Sequence, residues 1–174
     1  EKNLFTRTRQ EFMKNRWLQD CGERIKYLAN LKNGVVKDIL HVLSKDRCIT
    51  FCKTIEQAET LCKYCVHSKN LSSEEVYNAF NAKRISHIAS VNMLNEGANL
   101  VDCKYAVFAN YSSSSCVMWQ RLGRSLRHKF PVIIMPYYEN TREQEILEDM
   151  LRGFNKDNIK TAHSLSELKK MIEK

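Results

Sequence analysis

The stretch Arg47-Cys48-Ile49-Thr50-Phe51-Cys52-Lys53-Thr54-Ile55-Glu56-Gln57 contains a change of period that decides the fold. Cys48 to Cys52 is a short, mostly apolar run bounded by charges, the form of a strand buried on both faces in a parallel sheet. Thr54 followed three residues later by Gln57 then signals a helix start, with Ala58, Leu61, Cys62 and Cys65 as its apolar face. Strand followed by helix is one unit of a parallel sheet, and the rest of the chain can be read outward from it.

Downstream the unit recurs. Tyr64 to His67 reads as a second short strand, and Ser72 with Glu75 caps a helix through Val76, Ala79 and Phe80. Ile85 to Val91 and Tyr105 to Ala109 are the third and fourth strands. Val132 to Met135, between Pro131 and Pro136, is the fifth. Ser112 to Ser115 reads as a loop that caps a helix between the last two. Thr141 with Gln144 caps a helix over Ile146, Leu147, Met150 and Leu151 that stops at Gly153, and Ser164 with Glu167 caps one over Leu168, Met171 and Ile172. Upstream, Thr8 with Glu11 opens a long helix to Lys32, whose apolar residues are Phe12, Trp17, Cys21, Ile25 and Leu28. Asn33-Gly34 ends it, and a second helix runs from Val35 to Leu43. Both are expected to pack on the later core, with Trp17 and Trp119 as core anchors. The expected architecture is α/β: a parallel sheet with helices on both faces, preceded by an N-terminal helical lead-in. It divides into a lead-in at 1–45, the sheet domain at 46–153 and a helical extension at 154–174.

Composition narrows the function. The 174 residues are 43% apolar and 28% charged with two prolines, as in an ordinary folded domain, and a formal net charge of +8 favours a polyanionic partner, nucleic acid first. Seven cysteines, an odd number, imply free thiols in a reducing, cytoplasmic type of compartment. Cys62-x-x-Cys65 lacks the second ligand pair of a zinc site, so no metal is expected and these thiols read as small buried hydrophobes. No apolar run approaches membrane-spanning length, so a soluble protein with no membrane partner is expected.

In sheets of this kind ligands bind beyond the carboxyl ends of the strands. Lys53 and Thr54 follow the first strand, at a helix N-terminus whose free N–H groups suit phosphate. After the third strand comes Ser90-Val91-Asn92-Met93-Leu94-Asn95-Glu96-Gly97-Ala98-Asn99-Leu100, longer and more polar than a tight turn requires. After the fourth, Gln120-Arg121-Leu122-Gly123-Arg124-Ser125-Leu126-Arg127-His128 sets three arginines at spacings of three, with no acidic residue from Tyr111 to Tyr138. On a helix they lie roughly along one face, and converging guanidinium forks suit the oxygens of a nucleotide or a nucleic acid.

In this order and spacing the three segments resemble motifs IV, V and VI of the second motor domain of superfamily 2 helicases and translocases, over roughly residues 8 to 152. Arg47 to Leu61 is similar to motif IV, Ser90 to Leu100 to motif V and Gln120 to His128 to motif VI. Glu96-Gly97 and Leu126-Arg127 are closer to the restriction-enzyme and phage-recombination branch than to DEAD-box RNA helicases, which also carry aspartate where Asn99 stands. The resemblance implies a RecA-like fold and an ATPase role. Arg124 and Arg127 would be arginine fingers for ATP and Mg2+ bound mainly on an upstream RecA-like domain of the same polypeptide. Gln120, Arg121, Glu96, Gly97 and Asn99 would bind or couple to the nucleotide. Lys53, Thr54, His67, Ser68, Ser90 and Asn92 would grip nucleic-acid backbone, and the basic balance and branch lean toward DNA.

None of the five glycines precedes a lysine, so the chain has no G-x-x-x-x-G-K-S/T phosphate loop. It is therefore expected to supply half of an ATPase site and to be inactive alone. The competing reading is a RecA-like nucleic-acid-binding adaptor that does not hydrolyse ATP.

Overall fold

The computed structural model describes residues 2–91, 100–110 and 128–173, with side chains from Gln10 onward. Helix α1 (Lys2–Leu31) leads into α2 (Asn33–Val42), β1 (Cys48–Phe51) and α3 (Ile55–Leu61). There follow β2 (Cys65–Val66), α4 (Ser73–Asn81), β3 (His87–Ser90), β4 (Tyr105–Phe108), β5 (Val132–Ile134), α5 (Arg142–Leu151) and α6 (Leu165–Ile172). The strands form one parallel sheet in the order β2-β3-β1-β4-β5.

Because side chains alternate along a strand, the sheet builds two cores. Cys48, Cys52, Cys65, Ala89, Tyr105 and Val107 face α2, α3 and α6, through Val36, Ile39, Ala58, Leu168 and Ile172. Ile49, Phe51, Val66, Ile88, Ala106 and Phe108 face α4 and α5, through Phe80, Val76, Ile146 and Met150. Phe51 and Phe108 stack across β1 and β4 with ring centroids 4.8 Å apart. The expected five parallel strands and two-sided helical cover are thus present. The buried thiols serve these cores, and burial pushes Cys65 up to about 11 and Cys103 to about 12.

Two caps form as the sequence predicts: Thr54 accepts from Gln57 N–H at 3.1 Å and Ser164 from Glu167 N–H at 3.2 Å. Thr141 also caps its helix, but it accepts from Glu143 N–H at 3.3 Å and not from Gln144. Other expectations need correcting. Helix α1 begins at Lys2, so Thr8 lies inside it; nothing between Lys2 and Thr8 breaks a helix. It stops at Leu31, and Asn33 opens α2 instead of ending α1. Ser72 makes no side-chain cap, because the neighbouring Ser73 hydroxyl takes over the junction. Ser73 Oγ accepts from His67 N–H and lies 2.9 Å from the His67 carbonyl. Together with Asn70 Nδ2, which donates to the Cys65 carbonyl, it closes the outer edge of β2 against further strand pairing.

The lead-in differs most. Val36, Ile39 and Leu40 of α2 are buried in the first core, but among the described side chains of α1 Ala29, in its last turn, alone is buried. Phe12 and Trp17 are each 64% exposed, and Met13, Leu18 and Ile25 are exposed as well. Trp17 is not a core anchor. Its apolar spacing is real, but no described element lies alongside to cover it. Trp119 lies outside the described residues, as does the helix expected after Ser112 to Ser115.

Helix α4 ends with Lys83 at φ 60°. Its N–H donates to the Phe80 carbonyl, and Arg84 N–H donates to the Ala79 carbonyl, the paired bonds of a glycine-type helix stop. A lysine there bears left-handed strain of about 1 kcal/mol, and its ion pair with half-exposed Asp102 adds little. Lys83→Gly is therefore expected to stabilise the chain by about 0.5–1 kcal/mol, read as a higher urea midpoint; a lower one would contradict this account of the stop.

Candidate nucleic-acid and nucleotide edge

Backbone hydrogen bonds carry the sheet one residue beyond its strands at the carboxyl edge. Cys52 N–H donates to the Ser90 carbonyl at 2.9 Å, Val91 N–H to the Val66 carbonyl at 3.1 Å, and Ala109 N–H to the Phe51 carbonyl at 3.0 Å. With Phe51 paired to Ser90 and to Phe108, and Val66 paired to Ser90, four loops leave the sheet from one row. Three of them hold sequence-predicted residues on adjacent strands: His67 and Ser68 after β2, Ser90 at the end of β3, and Lys53 and Thr54 after β1.

The residues in this row differ in what they present. Lys53 and Ser68 are exposed, and Thr54 is half-buried with its hydroxyl committed to the cap. His67 is buried, its Nε2 3.5 Å from Glu59 Oε1. Ser90 is 1% exposed, and its Oγ has no hydrogen-bond partner among the described residues. Asn92, Glu96, Gly97 and Asn99, and Gln120, Arg121, Arg124 and Arg127, lie outside the described residues. Their segments are bracketed, however. The first follows Val91 at this edge, and the second leaves from Asn110 at this edge and rejoins at His128, whose Nε2 is 3.7 Å from Asp102 Oδ1.

Two groups beside this row were not singled out by the sequence reading. Lys32 Nζ donates to Glu143 Oε1 at 2.5 Å, with the two side chains 3% and 11% exposed. Burial pulls the Lys32 ammonium below its ordinary range, against the opposing hydrogen bond and charge of Glu143. Gln57, legible only as a cap partner, is wholly buried and bonds in three directions. The pairing of Lys32 with Glu143 had no local signal, since the two stand 111 residues apart.

Comparison with known proteins agrees with this architecture. The model of the helicase conserved C-terminal domain matches residues 31–129. The C-terminal domain of the DEAD-box protein Dbp5 superposes with a TM-score of 0.66 at 14% identity, over 82% of this chain and 89% of that one. S. cerevisiae Dbp5 bound to RNA and ADP BeF3 gives 0.67 at 15% identity, over 82% of this chain but 41% of that one. The DUF1998 helicase MrfA bound to DNA and AMPPNP gives 0.53 at 21% identity, over 70% of this chain and 19% of that one. No curated protein matches by sequence. The fold is RecA-like α/β, and among the described residues no helix is long and apolar enough to cross a membrane.

Proposed function

Since this chain belongs to the helicase conserved C-terminal domain family, we propose that it is the second motor half of an ATP-dependent helicase or translocase acting on nucleic acid, DNA in the first instance. The observation that carries the reading is the single row of strand ends that places Lys53, Thr54, Ser68 and Ser90 side by side. An exposed cation and an exposed hydroxyl, Lys53 and Ser68, at one edge suit phosphates of a strand. Ser90, 1% exposed, stands behind this edge and shapes it through its carbonyl, which accepts from Cys52 N–H. In this reading His67 supports Ser68 from behind, and Asn92 contacts the same nucleic-acid backbone.

The nucleotide side fits the donor set. The segment holding Arg121, Arg124 and Arg127 leaves β4 beside β1, at the same edge, and no carboxylate occurs from Tyr111 to Tyr138 to neutralise it. When bound, ATP with Mg2+ on an upstream RecA-like domain supplies the phosphoryl group to be transferred. Arg124 and Arg127 place fixed positive charge where negative charge grows on its oxygens. Gln120 and Arg121 orient that segment, and Glu96, Gly97 and Asn99 line the nucleotide edge. Closing and reopening the cleft between the two domains then alternates the grip of the strand-end loops.

Fluorescence anisotropy with labelled oligo(dT) and oligo(U) tests the backbone contact. Lys53→Ala should weaken binding and lower the slope of log affinity against log salt by about one. Tighter binding of oligo(dT) supports DNA, and tighter binding of oligo(U) overturns that choice. An unchanged salt slope removes Lys53 from the interface.

A further inference from the structure

Both ends of the Gln57 side-chain amide are used, and each partner fixes its orientation. Oε1 accepts from Lys53 N–H at 3.0 Å, while Nε2 donates to the Ala29 carbonyl at 2.7 Å and to Asn33 Oδ1 at 3.1 Å. A backbone N–H can only donate and a carbonyl can only accept, so the amide cannot be flipped. Capping α3 does not require this arrangement, because Thr54 Oγ1 already takes Gln57 N–H. The side chain instead ties the loop after β1 to the last turn of α1 and the first residue of α2. An apolar residue could fill the same space without burying an amide, whose desolvation is offset only when every partner is in place. Beyond this anchor α1 runs outward, exposed from Gln10 to Asp20, so whatever moves α1 acts on the sheet edge through its last turn.

We infer that Gln57 is a positioning residue: it holds the Lys53 backbone against the α1–α2 junction, so that the grip of Lys53 on a nucleic-acid phosphate depends on how α1 is docked. The inference rests on the phosphate-binding role proposed above for Lys53.

A double-mutant cycle on the 174-residue chain tests it, using labelled oligo(dT) and oligo(U) as probes. Gln57→Met keeps the length and burial of the side chain and removes all three bonds. It should weaken oligonucleotide binding roughly three- to tenfold, as expected for losing hydrogen bonds that position a contact. In a Lys53→Ala background the same substitution should change nothing further. By hydrogen exchange, the Lys53 amide should lose protection while the amides of β1 keep theirs, a local response that general destabilisation would not give. If Gln57→Met does not fold, Asn33→Ala removes one Nε2 acceptor and should show a smaller loss with the same dependence on Lys53. A loss of equal size in both backgrounds overturns the inference alone. Absence of oligonucleotide binding by the unaltered chain overturns the phosphate role of Lys53, and the inference with it.

Discussion

Glu143→Ala is expected to destabilise the chain by about 3–5 kcal/mol, because it removes the carboxylate paired with the buried Lys32 ammonium. The pair joins the α1–α2 junction to the first turn of α5, with the Lys32 side chain 3% exposed. Glu143 Oε2 also accepts from Tyr138 N–H at 3.4 Å, and the Tyr138 ring lies 6.0 Å from Lys32 Nζ. Replacing both charges, as in Lys32→Met with Glu143→Leu, should restore most of the loss, since an apolar pair of similar volume carries no desolvation cost.

The loss in Glu143→Ala should also depend on pH in a definite direction. Burial already holds Lys32 below the ordinary lysine value of 10.5, and Glu143 opposes that shift. Without Glu143 the folded-state value falls further, so the window between folded and unfolded values widens downward. Within the window the unfolded chain binds more protons than the folded one, and stability rises with pH. The Glu143→Ala defect should therefore shrink as pH is raised toward 10.5, in urea melts recorded beside the unaltered chain. A defect that stays constant or grows would mean that the buried ammonium is not its cause.

The larger effect is expected on turnover. In a polypeptide that joins this chain to the proposed upstream RecA-like domain, Arg127→Ala should lower nucleic-acid-stimulated ATP hydrolysis by roughly three to five powers of ten, the range a helper arginine supplies to phosphoryl transfer. Arg124→Ala should fall in the same range. In the role proposed above the guanidinium acts on the phosphoryl oxygens and not on the strand, so oligonucleotide affinity should change little. Arg127→Lys should rescue only part of the rate, because a lysine ammonium keeps the charge but lacks the planar fork that meets two oxygens at once. A variant whose hydrolysis and oligonucleotide binding fell together would instead place Arg127 on the nucleic-acid side.

The sheet was legible because strands buried on both faces must be short apolar runs, and Cys48 to Phe51 and Tyr105 to Phe108 have few other ways to fold between polar flanks. Parallel order followed from the helices between them, and with it the edge where Lys53, Ser68 and Ser90 meet. Thr54 and Gln57 were legible as a cap, since the capping signal is local. What the sequence could not carry was tertiary. Helical spacing marks Phe12 and Trp17 as one apolar set but does not say whether another element covers them, and none of the described elements does. Ser72 and Ser73 compete for one junction, and the His67 backbone, which neither residue's neighbours reveal, decides it. Lys32 with Glu143, and Gln57 with Ala29, meet only once the sheet has formed.

ATP hydrolysis bears most directly on the motor reading, measured for the 174-residue chain alone and for the polypeptide with the proposed upstream domain, each with and without oligonucleotide. Background turnover is expected from the chain alone, stimulated turnover from the longer polypeptide, and loss of that stimulation in Arg127→Ala. Sustained hydrolysis by the chain alone, or wild-type turnover in the Arg127→Ala polypeptide, would contradict the motor reading.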